Sequence, residues 1–183
     1  MGDIVLAGAT SGTTTLTPTA VSGTTTLTLP ATTGTVLTNA SNTGFPAGSV
    51  LQVVQGSTST GNSTTSNSFI ASSLTTSITP SSSANKILIS ISSLCANTGN
   101  GQGNFTIFRN STNLAGGSQL SFSYTYVSSG YTFSPLTMIY LDSPATTSST
   151  TYTVYFKTNA GATTTYLNDS ITQSTITLME IKG

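Results

Sequence analysis

Apolar and polar positions alternate with period two along much of the chain beyond residue 48, the pattern of strands with one buried face. Two segments read most clearly. Lys86–Cys95 puts Ile87, Ile89 and Ile91 on one face, and Thr151–Thr158 turns Tyr152, Val154 and Phe156 inward and Thr153, Tyr155 and Lys157 outward. Further strands are predicted at Ser49–Gln55, from Phe69 onward, at Thr163–Leu167 and at Thr175–Ile181. Asn104–Arg109 and Asn113–Leu114 flank Asn110-Ser111-Thr112, a tight hairpin turn, and Leu120–Val127 and Tyr131–Phe133 flank Ser128-Ser129-Gly130, a second one. Leu136–Leu141 is a continuous apolar run and predicts a strand buried on both faces. In Thr175–Ile181, Ile176 and Leu178 share one face while Met179 and Ile181 share the other, so that strand is buried on both sides or re-aimed by a bulge. The polar stretch Gly56–Ser68 predicts an exposed loop, and no segment has amphipathic helical periodicity. About eight or nine short strands of this kind make an all-β domain, a β-sandwich or jelly roll.

Ahead of that domain the pattern changes to a repeat. Ser11-Gly12-Thr13-Thr14-Thr15-Leu16-Thr17 recurs identically as Ser22-Gly23-Thr24-Thr25-Thr26-Leu27-Thr28, and a shorter copy follows as Gly34-Thr35-Val36-Leu37-Thr38. Gly12, Gly23 and Gly34 are thus eleven residues apart, and Gly2 with Leu6 reads as a degenerate first copy. Each unit is a short Thr/Leu strand that starts after a glycine, with Pro18 and Pro30 ending the first two. One unit exposes one or two apolar side chains and cannot bury them alone, so stability must come from stacking on neighbours or on identical chains around an axis. Residues 1–44 are therefore expected to be a repetitive β arm, a shaft or attachment segment, with Leu6, Leu16, Leu27 and Leu37 as its packing residues. The plainer alternative is a flexible low-complexity leader. Residues 39–48 are turn chemistry throughout, and residues 45–183 form the β-sandwich knob.

Composition narrows the chemistry. The 183 residues include no His, no Trp, one Cys and eight charged side chains, where an ordinary soluble domain has about a quarter charged residues. Thr interleaved with Ile, Val, Leu, Phe and Tyr replaces charge as the solvating element, which suits a pleated surface. Four scattered cations against four anions, net charge +0, cannot supply the phosphate-neutralising face of a nucleic-acid binder. No stretch reaches the roughly 18 apolar residues of a membrane span. Met1–Leu6 lacks a basic region and a long apolar run, so cytosolic synthesis is expected. Cys95 reads as a buried thiol ending its strand. A Ser-His-Asp or Cys-His site needs a histidine the chain does not have. A glycan hydrolase wants two carboxyl groups roughly 5–10 Å apart, and the main domain offers only Asp142, Asp169 and Glu180, far apart in sequence. Asp142 and Asp169 read as turn-capping acids, and Arg109 and Lys86 as interface salt-bridge or hairpin-cap residues. No cofactor and no metal is expected.

The most suggestive local feature is aromatic: Phe122, Tyr124 and Tyr126 at period two, then Tyr131 and Phe133. Phenolic aromatics amid Ser and Thr can grip sugar faces without charge, which makes Tyr124, Tyr126 and Tyr131 candidate receptor residues. Aromatic cross-strand pairs are equally ordinary sheet glue, in a core or at a trimer interface. Both readings stand at this point.

The leader GATSGTTTLTPTAVSGTTTLTLPATTGTVLTN and the junction FPAGSVLQVVQ resemble the N-terminal segments of bacteriophage appendage proteins, especially those of marine and cyanobacterial phages. SITPSSSANKILISIS, FTIFRNSTNL, YLDSPATTSSTTYTVYFKTNAG and the closing ITLMEIKG look like the β-sandwich tips of such fibres. The resemblance implies a non-enzymatic virion structural protein, usually a homotrimer, with the arm against other virion proteins and the knob outward, where it contacts the host surface and its glycans. It departs from long tail fibres in that Met1 leads directly into the repeat with no adaptor domain. The alternative is a head fibre or capsid-decorating protein anchored by the same arm.

Overall fold

β-branched and aromatic residues dominate the periodic segments, and every regular element among the described residues is a strand. The computed structural model describes residues 4–7, 9–17, 26, 31, 45–125 (Thr125 by its backbone alone), 130, 133–159 and 163–183. The chain divides into two compact units, residues 1–37 and 38–183.

In the first unit, β1 (Ile4–Ala7) pairs antiparallel with β2 (Thr13–Leu16), Ile4 opposite Leu16 and Leu6 opposite Thr14. Gly12 takes φ 80°, a left-handed value that lets the chain turn into β2, so this repeat strand does begin after its glycine.

The second unit carries β3 (Val50–Thr58), β4 (Asn62–Thr64), β5 (Ile70–Ile78), β6 (Lys86–Asn97), β7 (Gly101–Arg109), β8 (Thr112–Asn113), β9 (Ser121–Thr125), β10 (Ser134–Asp142), β11 (Thr150–Thr158), β12 (Thr165–Leu167) and β13 (Ser174–Ile181). They form two sheets. In the first, β3, β13 and β6 lie side by side, β10 pairs the other edge of β6, and β12 with β4 extends the sheet beside the end of β6. In the second, the order is β5-β11-β7-β8, with β9 also on β7. All pairings are antiparallel.

The sheets stack as a sandwich because their inner faces are apolar. Ile87, Ile89, Ile91, Leu136, Met138, Leu167, Ile176 and Leu178 meet Leu74, Ile78, Phe105, Ile107, Tyr152, Val154 and Phe156 in one core. Phe105 and Phe156 stack across β7 and β11 with centroids 6.5 Å apart. The expected inward faces of Lys86–Cys95 and Thr151–Thr158 are the observed ones. Cys95 is a buried free thiol, its pKa raised by that burial. The first hairpin turn is two residues long, Arg109 pairing with Thr112 and Asn110 taking φ 52°.

Two expectations are corrected. Gly56–Ser68 is not an exposed loop: β3 runs on through Gly56–Thr58 and β4 occupies Asn62–Thr64. Gly56 is glycine because a Cβ there would lie 2.7 Å from the Thr75 carbonyl oxygen and 2.8 Å from Thr76 Cβ. Gly56→Ala is expected to destabilise the domain by about 1–3 kcal/mol, read as a lower urea midpoint with an unchanged m-value. Leu136–Leu141 is not buried on both faces: Leu136 and Met138 point inward, while Ile139 and Leu141 stand 68% and 51% exposed on the outer face. The second expected hairpin, Leu120–Val127 with Tyr131–Phe133, falls largely outside the described residues; on either side of it β9 pairs with β7 and β10 with β6. Residues 126–129, 131 and 132 lie outside the described residues. In β13 the inner face holds Ser174, Ile176, Leu178 and Glu180, Met179 and Ile181 are half-buried on the outer face, and a register shift against β3 falls between Glu180 and Ile181.

Strand direction gives the sandwich two ends. At the proximal end the chain enters at Val50, and β13 leaves beside it, Gly48 N donating to Lys182 O and Lys182 N to Ser49 O. The distal end carries the turns after β3, β6, β9, β11 and β12.

Candidate functional site

The predicted site residues fall in three places. In the first unit, the register of β1 and β2 puts Ile4, Leu6 and Leu16 on one face of the hairpin, with exposures of 61%, 56% and 48%. Two strands cannot cover those side chains, as the repeat argument requires. Leu27 and Leu37 lie outside the described residues.

Phe122 and Tyr124 lie on β9 opposite Asn104 and Gln102, on the outer face of the second sheet, and are well exposed. A core role is thereby excluded for both. Tyr126 and Tyr131 lie outside the described residues. The same sheet carries an aromatic group that sequence reasoning missed: Tyr155 stacks on Phe108 at 3.9 Å, Phe69 meets Phe108 edge-on, and Lys157 Nζ sits 4.8 Å over the Phe69 ring. Its members come from three strand regions far apart in the chain, so only the outward position of Tyr155 and Lys157 was readable.

The outer face of the first sheet is divided along its strands. Leu141 pairs with Leu88, Leu88 with Met179 and Met179 with Val53, which sets one apolar residue from each of four adjacent strands in a row. At ordinary strand spacing the row spans about 14 Å. Ile139 flanks it on one side, and on the other Ile181 lies between Val50 and the exposed Lys86. Towards the distal end the rows become polar: Ser90, Thr177 and Gln55, then Thr137, Ser92, Thr175 and Ser57. The apolar half is therefore the proximal half. An edge strand normally carries charge or a bulge to prevent further pairing. The outer edge of β10 bears neither Lys nor Glu, and its one charged residue, Asp142, faces inward.

Two buried carboxylates hold the proximal end. Glu180, 1% exposed, accepts hydrogen bonds from Asn85 Nδ2 at 2.6 Å, Gln52 Nε2 at 2.6 Å, Ser81 N at 2.7 Å and Ser81 Oγ at 2.8 Å. Burial pushes its pKa up, but the bonds from Asn85, Gln52 and Ser81 outweigh it and hold the carboxyl below the usual range. Asp142 accepts both bonds from Arg109 Nη1, at 2.8 and 2.9 Å, and one from Tyr152 OH at 2.7 Å. Burial, then the bond to Asp142 and its charge, raise the Tyr152 phenol far above its usual range, so it stays a donor. Asp142 is thus a buried ion-pair partner rather than a turn cap, and Arg109 is neutralised within its own chain. Both acids pair with Ile87, on its opposite sides. Each is satisfied by its own donors, and they do not face one another across an open cleft.

The third acid is at the distal end. Asp169 Oδ1 accepts from Ile171 N, Thr172 N and Thr172 Oγ1, the turn-capping role expected of it. Those bonds, the Thr172 hydroxyl first, lower its pKa to about 2. It lines an open cleft of about 250 Å³ with Gly61, Asn62, Ser63, Phe133, Tyr166, Asn168 and Ser170. No group of three or more His, Cys, Asp or Glu side chains able to hold a metal occurs among the described residues. No helix of the described residues is long and apolar enough to cross a membrane.

No protein-family model matches the chain, and no curated protein does.

Proposed function

We propose that this chain is a non-enzymatic bacteriophage virion structural protein, a homotrimeric fibre or appendage that contacts the host surface. The arm of residues 1–44 engages other virion proteins, and the knob of residues 45–183 is presented outward. The observation that carries the reading is the apolar row Leu141–Leu88–Met179–Val53 at the end where the chain enters the knob. Uncharged itself, with Ile139 and Val50 beside it and Lys86 at its border, it suits packing against identical copies about an axis, just as the exposed Ile4, Leu6 and Leu16 face does in the arm.

Connectivity supports the same reading. Omitting the short β4, β8 and β12, the strands run β3-β13-β6-β10 in one sheet and β5-β11-β7-β9 in the other. Consecutive strands alternate between sheets except at β7–β9, a path that supports reading the knob as a jelly roll. Viral shell and lectin domains use that architecture. The residue resemblance to phage appendages points the same way.

Sedimentation equilibrium tests the assembly. The full chain is expected at trimer mass, with a melting temperature that rises with protomer concentration. A Leu141→Lys, Met179→Lys variant should dissociate at least about a hundredfold more readily, since it buries charge in the proposed contact. Monomer mass at every concentration, or a variant that assembles like the parent, would count against the interface.

A further inference from the structure

We infer that the distal cleft between the turn before β4 and the turn after β12 is a binding site for a neutral saccharide, taking one sugar ring of a longer chain. Its biological meaning rests on the host-contacting reading above; its test does not.

The cleft is built, and the construction is strained in one place. Asn168 and Ser170, neither of them glycine, both take φ 66°, on either side of Asp169. Left-handed backbone at two non-glycine residues in one turn persists only where surrounding contacts over-determine it, and such sites concentrate at functional positions. The contacts are present. Asn168 is buried; its N donates to Leu94 O at 2.8 Å, its Nδ2 to Thr58 O at 3.3 Å, and its Oδ1 accepts from Asp169 N at 2.8 Å. Gly61 N donates to Ser170 Oγ at 3.0 Å, and a Cβ at Gly61 would collide with that hydroxyl. The result is a fixed carboxylate at the rim of a recess.

The groups it offers match a polyol. Asp169 uses Oδ1 for its own turn and leaves Oδ2 without a partner among the described residues, an acceptor for sugar hydroxyls. Asn62 Oδ1 accepts from Ser73 N at 2.6 Å and Ser73 Oγ at 3.1 Å, which ties the turn before β4 to β5 and fixes the cleft's backbone. The Ser63 hydroxyl can donate or accept. Phe133 and Tyr166, edge to face with centroids 6.4 Å apart, supply an aromatic wall for the C–H face of a ring. At about 250 Å³ the recess is smaller than the usual pocket for a drug-sized ligand and suits one ring of a chain that continues into solvent.

Charge sets the class. Among the described residues Asp169 is the one charged group lining the cleft, and it stays ionised throughout the working pH range. None of the four cations of the chain lines it, and residues 126–132 and 160–162 contain no charged residue. A uronate, a sialic acid or a phosphate would meet a carboxylate with nothing to neutralise it, so the site selects against anions.

Saturation-transfer NMR on the full chain provides the test, with glucose, galactose, mannose and N-acetylglucosamine as neutral probes and N-acetylneuraminic acid and choline as charged ones. At least one neutral sugar should receive saturation. Asp169→Asn keeps a turn-capping oxygen and should weaken binding at least about tenfold, the loss of a hydrogen bond to a charged group. Ser63→Ala removes a hydroxyl that carries no bond among the described residues, and should weaken binding by several-fold with the melting temperature unchanged. Saturation of N-acetylneuraminic acid or choline alone, of no probe at all, or equally in both variants and the parent overturns the site. Loss of the site with the protein still on the virion tail leaves the proposed function standing. Sugar binding by a protein absent from virions does the reverse.

Discussion

Glu180→Ala is expected to lower the unfolding free energy by about 3–5 kcal/mol, the cost of leaving several buried donors without their shared acceptor. Among the described residues no cation pairs with the carboxylate; three neutral side chains and the Ser81 backbone N–H solvate it instead. Alanine leaves those donors buried around a void, and each unsatisfied donor costs about 1–3 kcal/mol. The loss also spreads, because the network ties β3 and β13 to the turn before β6. Acid should imitate it. The Glu180 pKa is lower folded than unfolded, so its contribution is full above the unfolded value of about 4.3 and is lost as pH falls through the folded value. Asp169 behaves the same way, its part fading as pH falls from about 4 towards 2. Urea melts at neutral and acid pH should therefore show an acid loss that shrinks in Glu180→Gln and separately in Asp169→Asn. An acid loss identical in parent and Glu180→Gln would remove Glu180 as its source.

Arg109→Met should be comparably damaging, about 3–5 kcal/mol, for a different reason. Arg109 is partly solvated, its side chain 26% exposed, but Asp142 is 7% exposed and Tyr152 fully buried. Removing the guanidinium strands the Asp142 carboxylate with the Tyr152 hydroxyl as its remaining side-chain donor. Replacing all three groups together, as Arg109→Met, Asp142→Leu, Tyr152→Phe, should restore most of the loss, since a well-packed apolar set is often as stable as a buried ion pair. Urea denaturation of the single and triple variants measures the difference as a coupling energy. A triple variant as unstable as the single one would show that packing, rather than the stranded charge, carries the effect.

What was legible in the chain follows from what period-two patterning can express. Ile87, Ile89 and Ile91, and Tyr152, Val154 and Phe156, declared their faces because each strand carries one contiguous apolar side. Leu136–Leu141 misled because the same pattern of apolar neighbours serves a strand buried on both faces and an outer strand whose second face is apolar; Ile139 and Leu141 belong to the second case. Gly56-Ser57-Thr58 looked like loop because small polar residues pair in a sheet without any apolar signal. The site was less legible still. Asp169 was readable as a turn cap, yet the cleft around it draws on residues 61–63, 133 and 166–170, which only the fold brings together. Glu180 shares its inward face with Ile176 and Leu178, but its burial depends on Gln52, Ser81 and Asn85. The apolar row across β10, β6, β13 and β3 exists only in the register, since no two of its members are close in sequence.

The central claim is that this is an outward-facing component of a virion. Cryo-EM of intact phage particles encoded with this chain, imaged with and without an antibody to the knob, tests it most directly. The account predicts antibody-labelled density of three-fold symmetry projecting from the tail. Labelling of capsomers would contradict the host-contacting assignment in favour of the decorating one, and absence of the protein from the particle would contradict the structural reading altogether.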